Sequence, residues 1–338
     1  SIPLTAYYFY QISIISILAN IIVIPFISVI LILALVTILL SFLPLSLITS
    51  FLALLNETII SVFLLIGKIF STLPFSYQNV AQPKLFIIIL YYLIVITFFY
   101  ASSLWSGYNI SEKKKMFWLI TTMVSIFFFF ILFPYPKLLE VHFINVGQGD
   151  CIFIKTPEDK HIIIDGGGTP YNDYDVGLNV LLPYLRRKGI KEIDLMVLSH
   201  PDTDHLEGLI PVLEELRVMS VIENRVEYNY EVYNKFHSFI QESDYTKYFN
   251  VKAGDNIRLN SETELFVLYP PENIDFIDKN NFNNYSVVLK LRYKKIDILF
   301  AGDIERVAEI NLLSYWNDFL KSDILKVAHH GSNSSSSE

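Results

Sequence analysis

Residues 1–134 carry almost no charge, and this constrains the fold more than any other feature of the sequence. They include five lysines, no arginine and two acidic residues, whereas residues 135–338 hold 21 basic and 32 acidic side chains and all seven histidines. A segment so long and so poor in charge cannot form the core of a water-soluble domain, and hydrocarbon is its natural solvent. The sequence therefore predicts transmembrane helices over 1–134 and a separate globular domain over 135–338.

Five apolar stretches in the first segment are candidate membrane spans, since a span needs about 20 apolar residues. They cover residues 10–24, 27–42, 45–66, 85–104 and 116–133. The last three are each long enough to cross, whereas the first two are either two short spans or one long span broken at Pro25. Further prolines occur at the joins, as expected where helices kink or end: Pro44, Pro74 and Pro83.

Three lysines at 113–115 lie in the short loop before the last apolar stretch. Cytoplasmic loops carry an excess of basic residues, so this loop is expected in the cytoplasm. The last helix then leads outwards, which predicts a multi-pass protein of the plasma membrane with an extracytoplasmic globular domain. Asn20, Asn56 and Glu57 fall in or near the spans, where they either line a polar pathway or lie at the membrane interface.

A single cysteine, Cys151, excludes an intrachain disulfide and a cysteine-rich metal site. It lies in the apolar run CIFI, so we expect a buried thiol. The chain begins without methionine or a basic leader, and no signal peptide is expected. It ends within what looks like a motif, and both ends suggest a fragment of a longer protein.

After the Pro-Tyr-Pro linker at 134–136 the pattern changes to short β-branched runs separated by Gly, Asp and Asn, which is typical of strands. The runs are VHFINV, CIFIKT, HIIIDGG, LMVLSH, NYSVVLKLRY, IDILFAGD and ILKVAHH. Helical patterns lie between them, around residues 179–188, 206–216, 233–241 and 305–315. Strands interleaved with helices predict a layered α/β fold.

The sequence HPDTDH at 200–205 directly follows the strand pattern LMVLS. If the chain is extended there, His200, Asp202 and Asp204 can point the same way, and His205 adds a neighbouring ligand. Four metal-binding side chains within six residues are denser than any structural requirement explains. Asp and His suit Zn²⁺ or Mn²⁺, and the lack of cysteine argues against a structural zinc site.

Asp165, Asp303 and the pair His329-His330 also follow strand patterns. Taken singly, Asp165 could stabilise a turn and Asp303 could cap a helix. Ligands in layered α/β sheets commonly gather beyond the carboxyl ends of strands. Together these positions predict one site that holds two metal ions.

HPDTDH resembles the HxHxDH signature of the metallo-β-lactamase superfamily. That resemblance implies an αββα sandwich, here truncated at its C-terminus, and two divalent ions, Zn or Mn. Asp202 stands in place of the second histidine, which makes the first site richer in oxygen ligands and makes Mn²⁺ plausible. The superfamily's third-motif histidine has no counterpart. Asn283, Asn284 and Ser286 are the polar residues nearest to that position, and His237 is expected to be structural.

The superfamily motif also implies a role for each site residue. His200 and Asp202 would bind one metal, and Asp204 and His205 the other. Asp303 would bridge them, with His329, or else His330, completing the second site. Asp165 would orient the ligands, and three residues would contact substrate: His330, Asn284 and Ser286.

The motif order narrows the resemblance to ComEC-type DNA-internalisation proteins. It is carried by VHFINVGQGDCIFI, IIIDGGG, SHPDTDHLEGL, NNYSVVLKL, FAGDI and KVAHHGS, and by the N-terminal run YYFYQISIISILANIIVIPFIS. The resemblance implies a channel for single-stranded DNA and a nuclease that degrades the strand not imported. It also implies two partners, a DNA receptor and a cytoplasmic translocation ATPase.

Two other functions remain open. The chain could be a membrane-tethered phosphodiesterase for cell-wall or lipid phosphoesters without DNA transport, or a channel component whose hydrolase fold is an inactive plug. A net charge of −11 over residues 135–338 is unfavourable for gripping a DNA backbone. Basic groups at 186–188, and at Lys290, Arg292, Lys294 and Lys295, could still form a local groove.

Overall fold

The computed structural model describes residues 2–13, 15–73, 76–104, 110–132, 137–169, 174–273 and 281–337. They divide into two compact units, Ser1–Leu132 and Phe133–Glu338. The predicted linker at 134–136 and Pro74 lie outside the described residues.

The first unit is helical. Its helices are α1 (Ile2–Phe9), α2 (Ser16–Ser41), α3 (Ser46–Thr72), α4 (Leu85–Leu104) and α5 (Ile110–Leu132). Two short strands, β1 (Gln11–Ile12) and β2 (Gln78–Asn79), pair antiparallel. Most of the first two apolar stretches forms the single helix α2, which continues through Pro25, whereas Gln11 and Ile12 at the start of the first stretch form β1.

Within the described residues, two helical segments are long and apolar enough to cross a membrane: Leu18–Ser41 of α2 and Ser46–Thr72 of α3. The apolar part of α4, Leu85–Tyr100, is shorter. Large apolar side chains are exposed all along α2 and α3, which is costly in water and favourable in lipid.

The second unit contains two large sheets flanked by helices. Its strands are β3 (Glu140–Phe143), β4 (Ile152–Lys155), β5 (His161–Ile164), β6 (Glu192–Ile193), β7 (Leu195–Val197), β8 (Arg217–Val218), β9 (Ser220–Glu223), β10 (Lys247–Asn250), β11 (Asn256–Arg258), β12 (Thr263–Tyr269), β13 (Val288–Tyr293), β14 (Ile296–Phe300) and β15 (Ile324–Lys326). Its helices are α6 (Leu182–Lys188), α7 (Thr203–Leu206), α8 (Leu209–Glu215), α9 (Glu231–Glu242) and α10 (Arg306–Trp316).

The strand order is β10-β9-β7-β5-β4-β3 in one large sheet and β11-β12-β13-β14-β15 in the other. Strands β6 and β8 pair parallel in a separate two-stranded sheet. Alternate side chains of β5 show how the layers are built. Ile162 and Ile164 pack between the two sheets, against residues such as Leu289. Ile163 points the other way and packs with the helices. The predicted αββα sandwich is confirmed.

The sequence patterns located seven of the strands and the main helices but missed β6 and the strands from β8 to β12. Strands β6 and β8 have two residues each, and the four residues of β10 are all exposed, so these segments show no clear alternation. β12 has seven residues and is largely buried, and the sequence patterns did not include it. Cys151 is buried at 3% exposure within the core between the first sheet and its helices, as predicted. Burial raises the pKa of its thiol well above the usual value.

Candidate metal centre

Five chain segments meet at one edge of the sandwich. Strands β5 and β7 run parallel, so their carboxyl ends place Asp165 and the HPDTDH segment side by side. Strand β4 is antiparallel to β5, and the residues before it, including Asp150, therefore lie at the same edge. In the second sheet β14 and β15 are parallel, which brings Asp303 and the residues after Lys326 to this edge as well.

Asp165 organises the histidines of the HPDTDH segment from behind. Its Oδ2 lies 2.9 Å from Nδ1 of His205. It also accepts hydrogen bonds from the Ser199 backbone N–H and hydroxyl, both at 2.7 Å, and the Ser199 hydroxyl lies 3.0 Å from Nδ1 of His200. Asp165 is 1% exposed, and carboxylates in this position fix the ring orientation of metal-binding histidines.

The Nε2 atoms of His200 and His205 are the clearest sign of a ligand site. Both are buried and make no hydrogen bond within the described residues. Nε2 of His200 lies 3.5 Å from Oδ2 of Asp202, and Nε2 of His205 lies 3.3 Å from Oδ2 of Asp303. A buried polar atom without a hydrogen bond is costly, and a metal ion accepts the lone pairs that these two atoms direct into the site.

Asp303 lies at the centre of the group. Its Oδ2 is 3.1 Å from Nε2 of His330 as well as 3.3 Å from His205. Burial opposes the ionisation of Asp303, but the neighbouring imidazoles outweigh it and hold the pKa of this carboxyl well below its usual range. Burial likewise opposes protonation of His205, yet the carboxylates of Asp165 and Asp303 raise its pKa well above normal.

His330, rather than His329, joins the cluster. Nε2 of His330 lies 3.8 Å from Oδ2 of Asp204, and the three side chains Asp204, His205 and His330 offer ligand atoms within 4.8 Å of one another. Nδ1 of His329 lies 3.1 Å from the Ser334 hydroxyl and 3.5 Å from Oε1 of Glu305. The described residues thus bring His330, and not the first choice His329, to the cluster, and the backbone at both histidines is left-handed.

Asn284 and Ser286 support the loop that carries Asp303. The Ser286 hydroxyl accepts a hydrogen bond from the Asp303 backbone N–H at 3.1 Å, and Asn284 accepts one from the Glu305 N–H at 3.0 Å. Both side chains are buried. Their polar atoms are used within the protein, which differs from the predicted contact with substrate.

Glycines allow the loops of the site to approach closely. Gly149 has φ +96°, and a Cβ there would lie 1.9 Å from the backbone oxygen of Asp204. A Cβ on Gly168 would lie 2.0 Å from the Thr203 oxygen. Gly149 and Gly168 are therefore required by their contact with the HPDTDH segment, because no other residue fits the space.

Two residues of the site were not predicted from the sequence. Nζ of Lys326 contacts Oδ2 of Asp150, and Oδ1 of Asp150 lies 3.5 Å from Nδ1 of His330. Asp150 could have been suspected, because GQGD precedes strand β4 at the same edge as Asp165. Lys326 carries no such signal, since a lysine that ends a strand is usually solvated.

Among the cations named for a local basic groove, Lys290, Arg292 and Arg186 pair with carboxylates. Lys290 is 1% exposed and lies 2.8 Å from Oδ2 of Asp297, and Arg292 pairs with the same carboxylate. Arg186 pairs with Glu215. These three cations are paired with carboxylates of the fold, and Lys326 and any bound metal bring positive charge to the edge of the site.

The residues present fit divalent metal ions. Two groups of described side chains bring ligand atoms within 4.8 Å of one another, and these two donor sets are His200, His205 and Asp303, and Asp204, His205 and His330. Imidazole and carboxylate donors suit Zn²⁺ and Mn²⁺. The metal-dependent chemistry of the fold is thus matched by the side chains that this chain provides.

Two family models match the chain. The model described as "Metallo-beta-lactamase superfamily" matches residues 144–338. The model described as "Competence protein" matches residues 1–105.

Several known proteins are similar to parts of the chain. The ComE operon protein 3 of Bacillus subtilis is 30% identical over 229 residues, 62% of this chain and 28% of that protein. The competence protein ComA of Neisseria gonorrhoeae is 24% identical over 193 residues, 57% of this chain and 24% of that protein. The chain thus spans about a quarter of these relatives. Among solved structures, the metallo-beta-lactamase fold protein YhfI of Bacillus subtilis is 11% identical, with a TM-score of 0.34 over 56% of this chain and 68% of that one.

Proposed function

The chain belongs to the metallo-beta-lactamase superfamily, and from this premise we propose that it is the nuclease-bearing part of a DNA-uptake channel. A competence-family segment followed by this domain is the arrangement of the ComEC-type proteins that the motifs resemble, and the two family matches confirm that resemblance. In this proposal the second unit hydrolyses phosphodiester bonds of the strand that is not imported, and the first unit contributes helices to the channel.

The observation that carries the proposal is the pair of buried Nε2 atoms of His200 and His205, which make no hydrogen bond within the described part of the chain. With Asp303 between them and Asp204 and His330 beside them, these atoms are arranged as metal ligands. Divalent ions held here supply the Lewis acidity that activates water and stabilises charge on a phosphoester.

The protein's own residues orient and charge the site. Asp165 fixes the ring of His205, and Asp303 faces both donor sets. Hydrogen bonding to Asp150 and Asp303 raises the pKa of His330 to about 9. Histidine binds metal in its neutral form, so metal uptake displaces a proton from His330 at neutral pH.

DNA is the proposed substrate because of the segment that precedes the hydrolase domain and because of the relatives of the chain. Residues 1–105 match the competence family, and two relatives carry competence or com-operon names. The abundance of carboxylates around the site argues that the metal ions, rather than a basic surface, attract the phosphate. We further propose that a DNA receptor delivers the strand and that a cytoplasmic ATPase drives transport.

The proposed location of the hydrolase domain is supported by the lysines at 113–115. These exposed or half-exposed cations begin α5, and the positive-inside bias assigns that end of the helix to the cytoplasm. We therefore propose a multi-pass protein in the plasma membrane, with residues 137–338 on the extracytoplasmic side.

The test is cleavage of single- and double-stranded DNA by the detergent-purified chain, with Mn²⁺ or Zn²⁺ and with the metals chelated. We expect metal-dependent cleavage that Asp204→Ala abolishes, and unchanged cleavage in Lys235→Ala, a change on an exposed face of α9. The absence of nuclease activity with either metal would overturn the proposal. Hydrolysis of lipid or cell-wall phosphoesters in place of DNA would support the tethered phosphodiesterase instead.

A further inference from the structure

Lys326 is almost enclosed beneath the metal centre, and neither family roles nor motif spacing assign it a function. Its side chain is 10% exposed. The ammonium group contacts Oδ2 of Asp150, lies 3.1 Å from the backbone oxygen of Gly302 and lies 3.5 Å from Oδ1 of Asp303. A lysine is rarely buried unless it is paired, and here both of its carboxylate partners lie at the site.

The contacts of Asp303 are divided between its two oxygens. Oδ1 faces Lys326, whereas Oδ2 faces the Nε2 atoms of His205 and His330. A turn of the carboxylate away from this orientation would lengthen its contacts with Lys326 and with the histidines together. The ammonium group therefore helps to hold the orientation in which one oxygen of Asp303 faces Lys326 and the other faces the two histidines.

Asp150 connects Lys326 to the histidine on the other side. Its Oδ1 lies 3.5 Å from Nδ1 of His330, and Nε2 of the same ring faces Asp303. This is the arrangement that Asp165 makes with His205, at 2.9 Å. A carboxylate behind a metal-binding imidazole fixes the ring and strengthens the ligand.

The charges of the cluster allow two roles of Lys326 to be distinguished, because removing this lysine would change the metal affinity in opposite directions. Two divalent ions and one ammonium group would balance the charge of the five carboxylates around the centre. These carboxylates are Asp150, Asp165, Asp202, Asp204 and Asp303. If Lys326 acted only through its charge, removing it would strengthen metal binding, because like charges repel. If it acts by holding Asp303 and Asp150, removing it would weaken metal binding.

We propose that Lys326 and Asp150 are positioning residues that together hold Asp303 and His330 in the orientation that binds metal. This inference rests on the two-metal centre of the proposed function. Lys326 acts through Asp303 and through Asp150, and neither Lys326 nor Asp150 needs to touch the substrate.

The experiment is a calorimetric titration of Mn²⁺ into the metal-free, detergent-purified chain. We expect two equivalents to bind to the wild type, and at least tenfold weaker binding at one site in Lys326→Met and in Asp150→Asn, the lower end of the effect of such supporting residues. Lys326→Arg, which keeps the charge and the donors, should recover part of the affinity. Lys321→Met is the matched control, because that lysine is 82% exposed and pairs only with Asp318 among the residues described.

Visible absorption of bound Co²⁺ gives a second readout, because its intensity reports coordination geometry and a change in fold stability alone would leave it unaltered. We expect altered spectra in Lys326→Met and Asp150→Asn. Equal or tighter Mn²⁺ binding with an unchanged Co²⁺ spectrum in both variants would overturn the inference. If the wild type itself bound no metal, the proposed function would fail first. Asp150→Asn is nearly isosteric, so it keeps the test open if Lys326→Met does not fold.

Discussion

Nδ1 of His205 lies 2.9 Å from Oδ2 of Asp165, and both residues are at most 1% exposed. The opposite ring nitrogen of His205 faces Asp303 and makes no hydrogen bond among the described residues. One side of the imidazole is therefore fixed by the protein and the other is free to bind a metal ion.

Asp165→Asn should weaken metal binding about 10- to 100-fold, because the amide supports the His205 ring less well than the carboxylate does. The Ser199 N–H would keep an acceptor, so the fold should survive. Equilibrium dialysis against Mn²⁺ measures the effect, with Asp255→Asn, which is remote from the centre, as the control. Unchanged affinity would show that Asp165 does not support the ligand.

His330→Ala and His329→Ala should differ. His330 lies 3.1 Å from Oδ2 of Asp303, so its loss should remove one metal equivalent and most of the hydrolysis. His329 faces Glu305 and Ser334, so its variant should still bind two equivalents. Metal content of the purified proteins distinguishes the two, and loss of metal from His329→Ala alone would reverse the assignment.

Gly149→Ala should disrupt the site, whereas Gly147→Ala should be tolerated. Both glycines have positive φ, +96° and +85°, so each alanine bears about 1–2 kcal/mol of backbone strain. A Cβ meets the Asp204 oxygen at 1.9 Å only at Gly149, and at Gly147 it meets nothing within 4 Å. Thermal unfolding and Mn²⁺ binding of the pair isolate the steric contribution, and equal behaviour would contradict the close approach.

Asp297 should make the second unit less stable in acid. Hydrogen bonding to Arg292, reinforced by Lys290, lowers the pKa of Asp297 to about 2 from 3.8, so its contribution is present above pH ~4 and is lost as the pH falls towards 2. The shift corresponds to about 2 kcal/mol. Urea unfolding followed by labelling of the buried Cys151 with a dithiodipyridine, which reacts in acid, should show this dependence. Asp297→Asn should remove it and leave Lys290 buried without its counter-charge.

Membrane orientation can be read from single cysteines. Cys151 is the only cysteine in the sequence and is buried, so it should not react in the folded protein. A membrane-impermeant maleimide applied to intact cells should label Gln241→Cys and should not label Lys114→Cys, while both react after permeabilisation. The reverse pattern would place the hydrolase domain in the cytoplasm.

Composition and local pattern determined most of the architecture. The near absence of charge before residue 135 distinguishes a segment suited to lipid from a domain suited to water, and no tertiary contact is needed to see it. Asp165, His200 and Asp303 could be found because each follows an apolar β-branched run. Strand ends of neighbouring parallel strands meet at one edge whatever the details of packing. The layered α/β fold and the main members of the cluster could therefore be predicted from the one-dimensional pattern, whereas the αββα sandwich was implied by the family resemblance.

Only the tertiary structure decided which atoms face each other. The choice of His330 over His329 depends on left-handed backbone at two consecutive histidines, and no periodicity encodes it. Lys326 and Asp150 meet because β15 and the loop before β4 belong to different sheets that come together at the site. In the sequence Lys290 resembles a surface cation, but in the structure it is buried within the sandwich. Contacts between residues this distant in sequence are set by packing, and local propensity carries no information about them.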